Sequence, residues 1–540
     1  MLAMTTSFLK GEYKDELRFF RVHKRDVYES QVAVTRGIGK YDVANGYAAI
    51  KVVDKVGFRK PVLIVVNTFE EYETGSSKPI CAHSSLLFQP SPSVCVFEMG
   101  SLPELDTPSL SSRISTVVPA TPRDNENGAF QLNYMDLLMK LHYIRPVYVF
   151  NSEAVQGFSI SDLKKPMFPL LEHYFQVSGR IRRSESSGRP FIKCNDAGVR
   201  IAESHCDITL QEWFHQNGNS VEGLVHDHVL GPDLAFSPLV FVKFTWFKCG
   251  GLSVGLSWAH VLGDAFSAFN FISKWSQILA GQALPKSLHM PNLSKSQISP
   301  NSIIKNPPIS IKRTNIVGEY WLATNDNDVA IHSFHITSTQ LYHFVTDTLN
   351  QTNDTTNKVK TSYFEIISAL FWKCIANIRD ENSEPNVVTV CTSKSNREDN
   401  EFPTNGFLVL SKIEAKFSTG KCEISELVNL IIKNKIVENY EMEKLVEEDE
   451  GKEDFIVYGA QLTFVDLEEA NIYDGVKLNG QGPIMANCTF RGVGDQGVVL
   501  VIPAPEDSNH GGNGRIVTVS MPRKELDQLR DKLREEWGIH

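Results

Sequence analysis

Positive charge is in short supply in this sequence: 54 Lys and Arg stand against 64 acidic residues in a chain of 540, a formal net charge of −10. Nucleic acids are held by clustered cations that displace counterions, so this balance gives no reason to expect them as partners. Cysteines number nine, an odd count without a single C-x-x-C pair. Zinc ribbons and thioredoxin-like chemistry depend on that spacing, and no metal site is expected. Long apolar runs are missing too. The longest are strand-sized, such as Pro61-Val-Leu-Ile-Val-Val66, far from the roughly 20 residues of a membrane span. Lys10, Glu12 and Lys14 stand where a signal peptide would need its apolar core. These absences predict a chain with no transmembrane segment, in the reducing cytoplasm. No internal repeat is visible.

What remains has the composition of a globular protein, with 42% hydrophobic and 22% charged residues and a length that suits two or three domains. Residues 1–98 mix short strand-like runs with charge, end in a loop-like segment at 83–94, and hold no chemistry-bearing motif. They read as an N-terminal extension of unknown role outside the core fold: a small domain, an appended tail, or sequence upstream of a start at Met99. Residues 115–280 alternate strands and helices. A helix is predicted over Tyr134–Tyr143, a strand over Pro146–Phe150, and a helix capped by Ser161 to about Tyr174, before a turn at Ser178-Gly179. Residues 285–315, rich in Pro, Ser, Asn and Lys, read as a long surface crossover. The alternation resumes at Ile331, with helices over 338–349 and 362–378, the second burying Phe364, Ile367, Phe371 and Ile378. The acidic run at 447–450 and the charged helix at 523–537 read as solvated surface. Two mixed α/β domains follow, 99–300 and 301–540.

The segment richest in chemistry is Cys249-Gly-Gly-Leu-Ser-Val-Gly-Leu-Ser-Trp-Ala-His260-Val-Leu-Gly-Asp264. Gly250-Gly251 predicts a hairpin turn between strands at 239–248 and 252–259. Along the second strand, Ser253, Gly255, Ser257 and Ala259 form a bare face, which admits another backbone or a slender ligand. His260 then ends the strand, and Asp264 opens a helix with Phe266, Phe269 and Ile272 on its buried stripe. An imidazole at a strand end, largely neutral at pH 7, suits a general base. It equally suits a packed core histidine, and Asp264 equally suits a plain N-cap. H-x-x-x-D alone is a weak motif among fifteen histidines.

The surrounding motifs are more specific. Leu132-Asn-Tyr-Met-Asp136 with His142-Tyr143, the helix ending in Val177-Ser-Gly-Arg-Ile181, Ile192-Lys-Cys-Asn-Asp-Ala-Gly-Val199, the H-x-x-x-D block with Ala265 in place of the usual Gly, and Thr361-Ser-Tyr-Phe-Glu365 through Trp372 occur in one order. Together they resemble the BAHD family of acyl-CoA-dependent acyltransferases over residues 115–540. The resemblance implies a fold of two chloramphenicol-acetyltransferase-like domains, mixed sheets flanked by helices, joined by a long crossover loop. It implies His260 as the base that deprotonates an acceptor hydroxyl or amine for attack on an acyl-CoA thioester. Asp264 would then support the loop. It implies no metal, no covalent intermediate and no bound cofactor, with acyl-CoA as co-substrate.

The family's second signature, D-F-G-W-G-K-P, is replaced by Lys477-Leu-Asn-Gly-Gln-Gly-Pro483. The Arg that its Asp would pair with is replaced by Lys394. Two lysines cannot re-form that pair. Loss of this signature with H-x-x-x-D kept is similar to the eceriferum-2-like (glossy-type) branch, as are the segments 225–241, 247–252, 317–321, 458–465 and 492–499. That branch implies an accessory role with the ketoacyl-CoA synthase of the fatty-acid elongase, at the cytosolic face of the endoplasmic reticulum, in very-long-chain acyl formation for cuticular wax. Apart from that partner a monomer is expected. An independent O- or N-acyltransferase is the alternative. Gly492-Val-Gly-Asp-Gln-Gly497 fits a dinucleotide fingerprint, but a strand follows it where a helix is needed, so it reads as a hairpin turn.

Overall fold

A computed structural model describes residues 112–122, 128–217, 220–283, 307–322, 328–351, 362–380, 383–393, 402–506 and 513–540, and the backbone of five strands within 2–66. The chain divides into two units, Met1–Thr107 and Pro108–His540. The first contains five strands paired in sequence order, from Leu2–Lys10 to Val62–Val66. The apolar run ending at Val66 is thus a strand, as its length predicts. The loop-like segment 83–94, Met99, most of the crossover at 285–315 and Lys394 lie outside the described residues.

The second unit is built on two large mixed sheets. The first has six strands in the order Met485–Arg491, Tyr143–Phe150, Leu252–Ala259, Val240–Phe247, Val199–Cys206, Ser112–Val117. Its one parallel pairing joins 199–206 to 240–247. The predicted hairpin is there, pairing 240–247 with 252–259 about Gly250-Gly251. Every residue of Leu252–Ala259 is buried, so both sheet faces are covered. The bare face admits backbone: a Cβ on Gly255 would lie 2.2 Å from the Leu224 carbonyl oxygen.

The second sheet has seven strands, Val329–Ile336, Asn513–Pro522, Val498–Glu506, Leu462–Asp466, Val387–Ser393, Leu408–Glu414 and Ile436–Val437, with the three central ones parallel. The helices Tyr363–Ile378, Ile424–Lys433 and Arg523–Trp537 pack over it around Phe364, Trp372, Leu427 and Leu529. A capping box between Ser362 and Glu365 starts the first of these helices.

Several local expectations shift. The helix at Tyr134 ends at Leu138, and the strand begins at Tyr143, because strand pairing to Ala259 and Arg491 claims that residue. The pairing to 252–259 has a gap at Pro146, which has no N–H to donate. The next helix is capped by Ser159, two residues before the predicted Ser161, and is broken at Pro166 into Ile160–Lys164 and Met167–His173. Phe266 is half-buried, while Phe271 and Trp275 join Phe269 and Ile272 in the core. Residues 492–497 are no hairpin: the strands on either side belong to different sheets. The chain passes there from the first sheet to the second.

Candidate functional site

His260 stands where the strand Leu252–Ala259 gives way to a short 3₁₀ turn, His260–Leu262. Its N–H donates to the His142 carbonyl at 3.1 Å, and its own carbonyl accepts from Asn405 Nδ2 at 2.8 Å. The same amide of Asn405 donates to Asp136 Oδ1 at 2.9 Å. The two ends of the H-x-x-x-D segment are thus held by one loop, since Asp264 N also donates to the carbonyl of the adjacent Thr404 at 3.3 Å. Gly263, at φ 154°, lies so close to Thr404 N that a Cβ would approach to 2.7 Å. Asp264 caps the helix Ala265–Leu279, accepting from Ser267 N and Oγ, both at 3.0 Å. Ser267 Oγ in turn accepts from Thr404 N at 3.2 Å.

The imidazole is fully buried, with 0% exposure. Its Nε2 lies 2.9 Å from the Tyr458 hydroxyl. Burial pushes the Tyr458 phenol well above its ordinary pKa, so it keeps its proton. Burial also lowers the His260 pKa to about 4, with its own backbone and Asp264 offsetting only part of that. The rings of Tyr458 and Phe490 close around the imidazole, with centroids 5.5 and 6.0 Å away. His142 completes the cluster, edge-on to Tyr458 at 5.0 Å, its Nε2 accepting from Val457 N at 3.0 Å.

Beyond Tyr458 lies a narrow cleft whose walls include Phe266, Cys391, Thr392, Asp466, Tyr458 and Phe490. His260 is not among its lining residues; Tyr458 and Phe490 stand between. The ionisable wall groups include the carboxylates of Asp264 and Asp466, the latter raised to about 6 by burial, and no Lys, Arg or His. Among the described residues no cluster of three His, Cys, Asp or Glu could hold a metal.

The replaced signature has its own structure. Asn479 and Gly480 have φ of 47° and 77° and join Leu478 to Gln481, the Asn-Gly form of a tight hairpin turn. This turn signal is visible in the sequence. The flanking segment is tied to the helix Ala265–Leu279, since Ser273 Oγ donates to the Gly475 carbonyl at 2.6 Å. Lys477 is half-exposed, 3.4 Å from Asp474.

A family model described as Transferase family matches residues 111–441. Protein ECERIFERUM 2 of Arabidopsis thaliana is 40% identical over 439 residues, covering 79% of this chain and 98% of that protein. The chain belongs to the BAHD transferase family. Protein ECERIFERUM 26-like of the same plant is 36% identical, covering 78% of this chain and 94% of its own length. Among solved structures, vinorine synthase superimposes with a TM-score of 0.55 at 17% identity, over 78% of this chain and 96% of that one. That likeness establishes the BAHD acyltransferase fold expected from the sequence motifs.

Within this BAHD fold, Tyr458, Phe490, His142 and Asn405 complete the surroundings of His260. Sequence reasoning assigned them no role, and Tyr458 is 198 residues from the imidazole it covers. The signal available was the alternation of Ala486, Cys488 and Phe490 with Asn487, Thr489 and Arg491, which reads as a strand, but nothing local tells which edge it joins. It joins 143–150, with Phe490 opposite Ile144.

Proposed function

We propose that this chain is an accessory factor for the elongation of very-long-chain acyl groups in cuticular wax formation. In this reading it works with a ketoacyl-CoA synthase at the cytosolic face of the endoplasmic reticulum and handles acyl-CoA without transferring its acyl group. One observation carries the non-transferring part: the nitrogen that would act as base is already bonded to the Tyr458 hydroxyl. The hairpin in place of the second signature supports it. The similarity to ECERIFERUM 2 and ECERIFERUM 26-like supports the wax setting. No helix among the described residues is long and apolar enough to cross a membrane, so attachment would run through the partner.

The test is co-expression with a condensing enzyme in yeast and measurement of acyl chain lengths by gas chromatography, wild type beside His260→Ala. Longer products that survive the substitution are expected. If lengths do not change, and purified protein instead acylates an alcohol or amine in a His260-dependent way, the chain is an acyl-CoA-dependent O- or N-acyltransferase. His260 would then be its general base and Asp264 its structural support.

A further inference from the structure

The distance between His260 Nε2 and the Tyr458 hydroxyl, 2.9 Å, lies within the roughly 2.6–3.2 Å at which a general base meets the proton it abstracts. The phenol therefore stands where an acceptor's hydroxyl would stand. Its backbone is held on both sides. Val457 N donates to His142 Nε2, the Tyr458 carbonyl accepts from Gly494 N at 2.8 Å, and Gly459 N donates to Thr463 Oγ1 at 3.2 Å. Gly459, at φ 83°, packs so tightly that a Cβ would lie 2.4 Å from the Gly494 carbonyl oxygen. The ring is wedged against Phe490, with centroids 4.7 Å apart. Its other side forms part of the cleft wall. A side chain anchored this way is not a swinging lid.

We propose that Tyr458 is a fixed plug over an intact base, and that truncating it opens His260 to thioester chemistry from the cleft. The proposal rests on the reading that the native chain does not transfer acyl groups. With the phenol gone, water entering the vacated space also restores solvation to the imidazole, and its pKa returns toward 6.5. The step is hydrolysis of an acyl-CoA. His260 Nε2 takes a proton from water as the water oxygen bonds to the thioester carbonyl carbon. The C–S bond then breaks, and the imidazolium returns the proton to the departing CoA thiolate. The products are a carboxylic acid and free CoA, with no redox change.

The experiment follows CoA thiol release from palmitoyl-CoA by the full chain, comparing wild type, Tyr458→Ala, Tyr458→Phe and the double variant Tyr458→Ala/His260→Ala. Tyr458→Ala should release thiol about tenfold faster than wild type or more, and the double variant should lose that gain. Tyr458→Phe frees Nε2 of its hydroxyl partner but leaves the ring in place, so it should gain less than Tyr458→Ala; an equal gain overturns the proposal. A folded Tyr458→Ala protein with no gain overturns the proposal and leaves the accessory reading standing. His260-dependent release by the wild type overturns both. An acyl ester found on Tyr458 of the wild type also overturns the proposal, since the phenol would then be a nucleophile. Should Tyr458→Ala fail to fold, diethyl pyrocarbonate labelling of the wild type decides. His260 should stay unmodified while His205, 64% exposed, reacts; labelling of His260 at the rate of His205 overturns the proposal.

Discussion

Lys140 shows what burial costs at the scale of one residue. Its side chain is 1% exposed and meets Asp454 at 2.7 Å, with the Glu453 carbonyl at 2.6 Å. Burial pulls the ammonium pKa down, and Asp454 opposes it. Asp454→Ala leaves that charge buried without its counter-ion, at a cost of about 3–5 kcal/mol. Urea unfolding should read the loss; a change under about 1 kcal/mol would mean the ammonium had found water. The histidines give a pH dependence. Burial holds His142 at about 3 and His260 at about 4, from 6.5 in the unfolded chain. Between about pH 4 and 6.5 the unfolded state therefore binds more protons, and stability falls as the pH drops through that window. His226, His228 and His332 add the same sign. Asp136, raised to about 7, and Asp466, raised to about 6, oppose it: their contribution is present in acid and lost toward neutral pH. The histidines outnumber them, so acidification from pH 7 to 4 should destabilise the protein. His260→Asn should flatten that slope by about one proton, and an unchanged slope in denaturant midpoints would contradict the assignment.

At the scale of the element, the strand Leu252–Ala259 controls how closely the segment around Leu224 approaches the sheet. Gly255→Ala places a Cβ 2.2 Å from the Leu224 carbonyl, a contact with backbone that cannot rotate away. The strand or the 224–225 segment must shift, and a loss of about 1–3 kcal/mol is expected from the overpacking. A thermal melt measures it. Gly281→Ala, with nothing near its Cβ but φ at 81°, serves as the comparison in which only backbone strain acts.

The whole second unit is interleaved. Met485–Arg491, late in the chain, closes the edge of the sheet that begins near residue 112. Asn487 on that strand bonds Ser333 Oγ at 2.8 Å and accepts from Thr518 Oγ1 at 2.9 Å, both on the other large sheet. One hydrophobic cluster draws on both halves, from Leu132 and Trp258 to Leu410 and Phe490. The unit Pro108–His540 should therefore melt in a single calorimetric transition. Two resolved transitions would show that its halves are independent.

Much of this was legible along the chain because it depends on near neighbours. The hairpin at Gly250-Gly251, the Asp264 cap and the helix from Ser362 follow from turn geometry, capping and periodicity over a few residues. The order of the family motifs carried the fold. The boundary at Tyr143 was missed because distant strand pairing overruled local propensity, whereas the helix split at Pro166 is a near-neighbour effect of the proline itself. The sequence alone settled that a base-type histidine ends a buried strand and that the second signature is gone. The tertiary structure alone decided what that histidine can do. Desolvation and a hydrogen bond are properties of whatever fills the adjacent space, and here that space is filled by Tyr458, carried in from the far half of the chain.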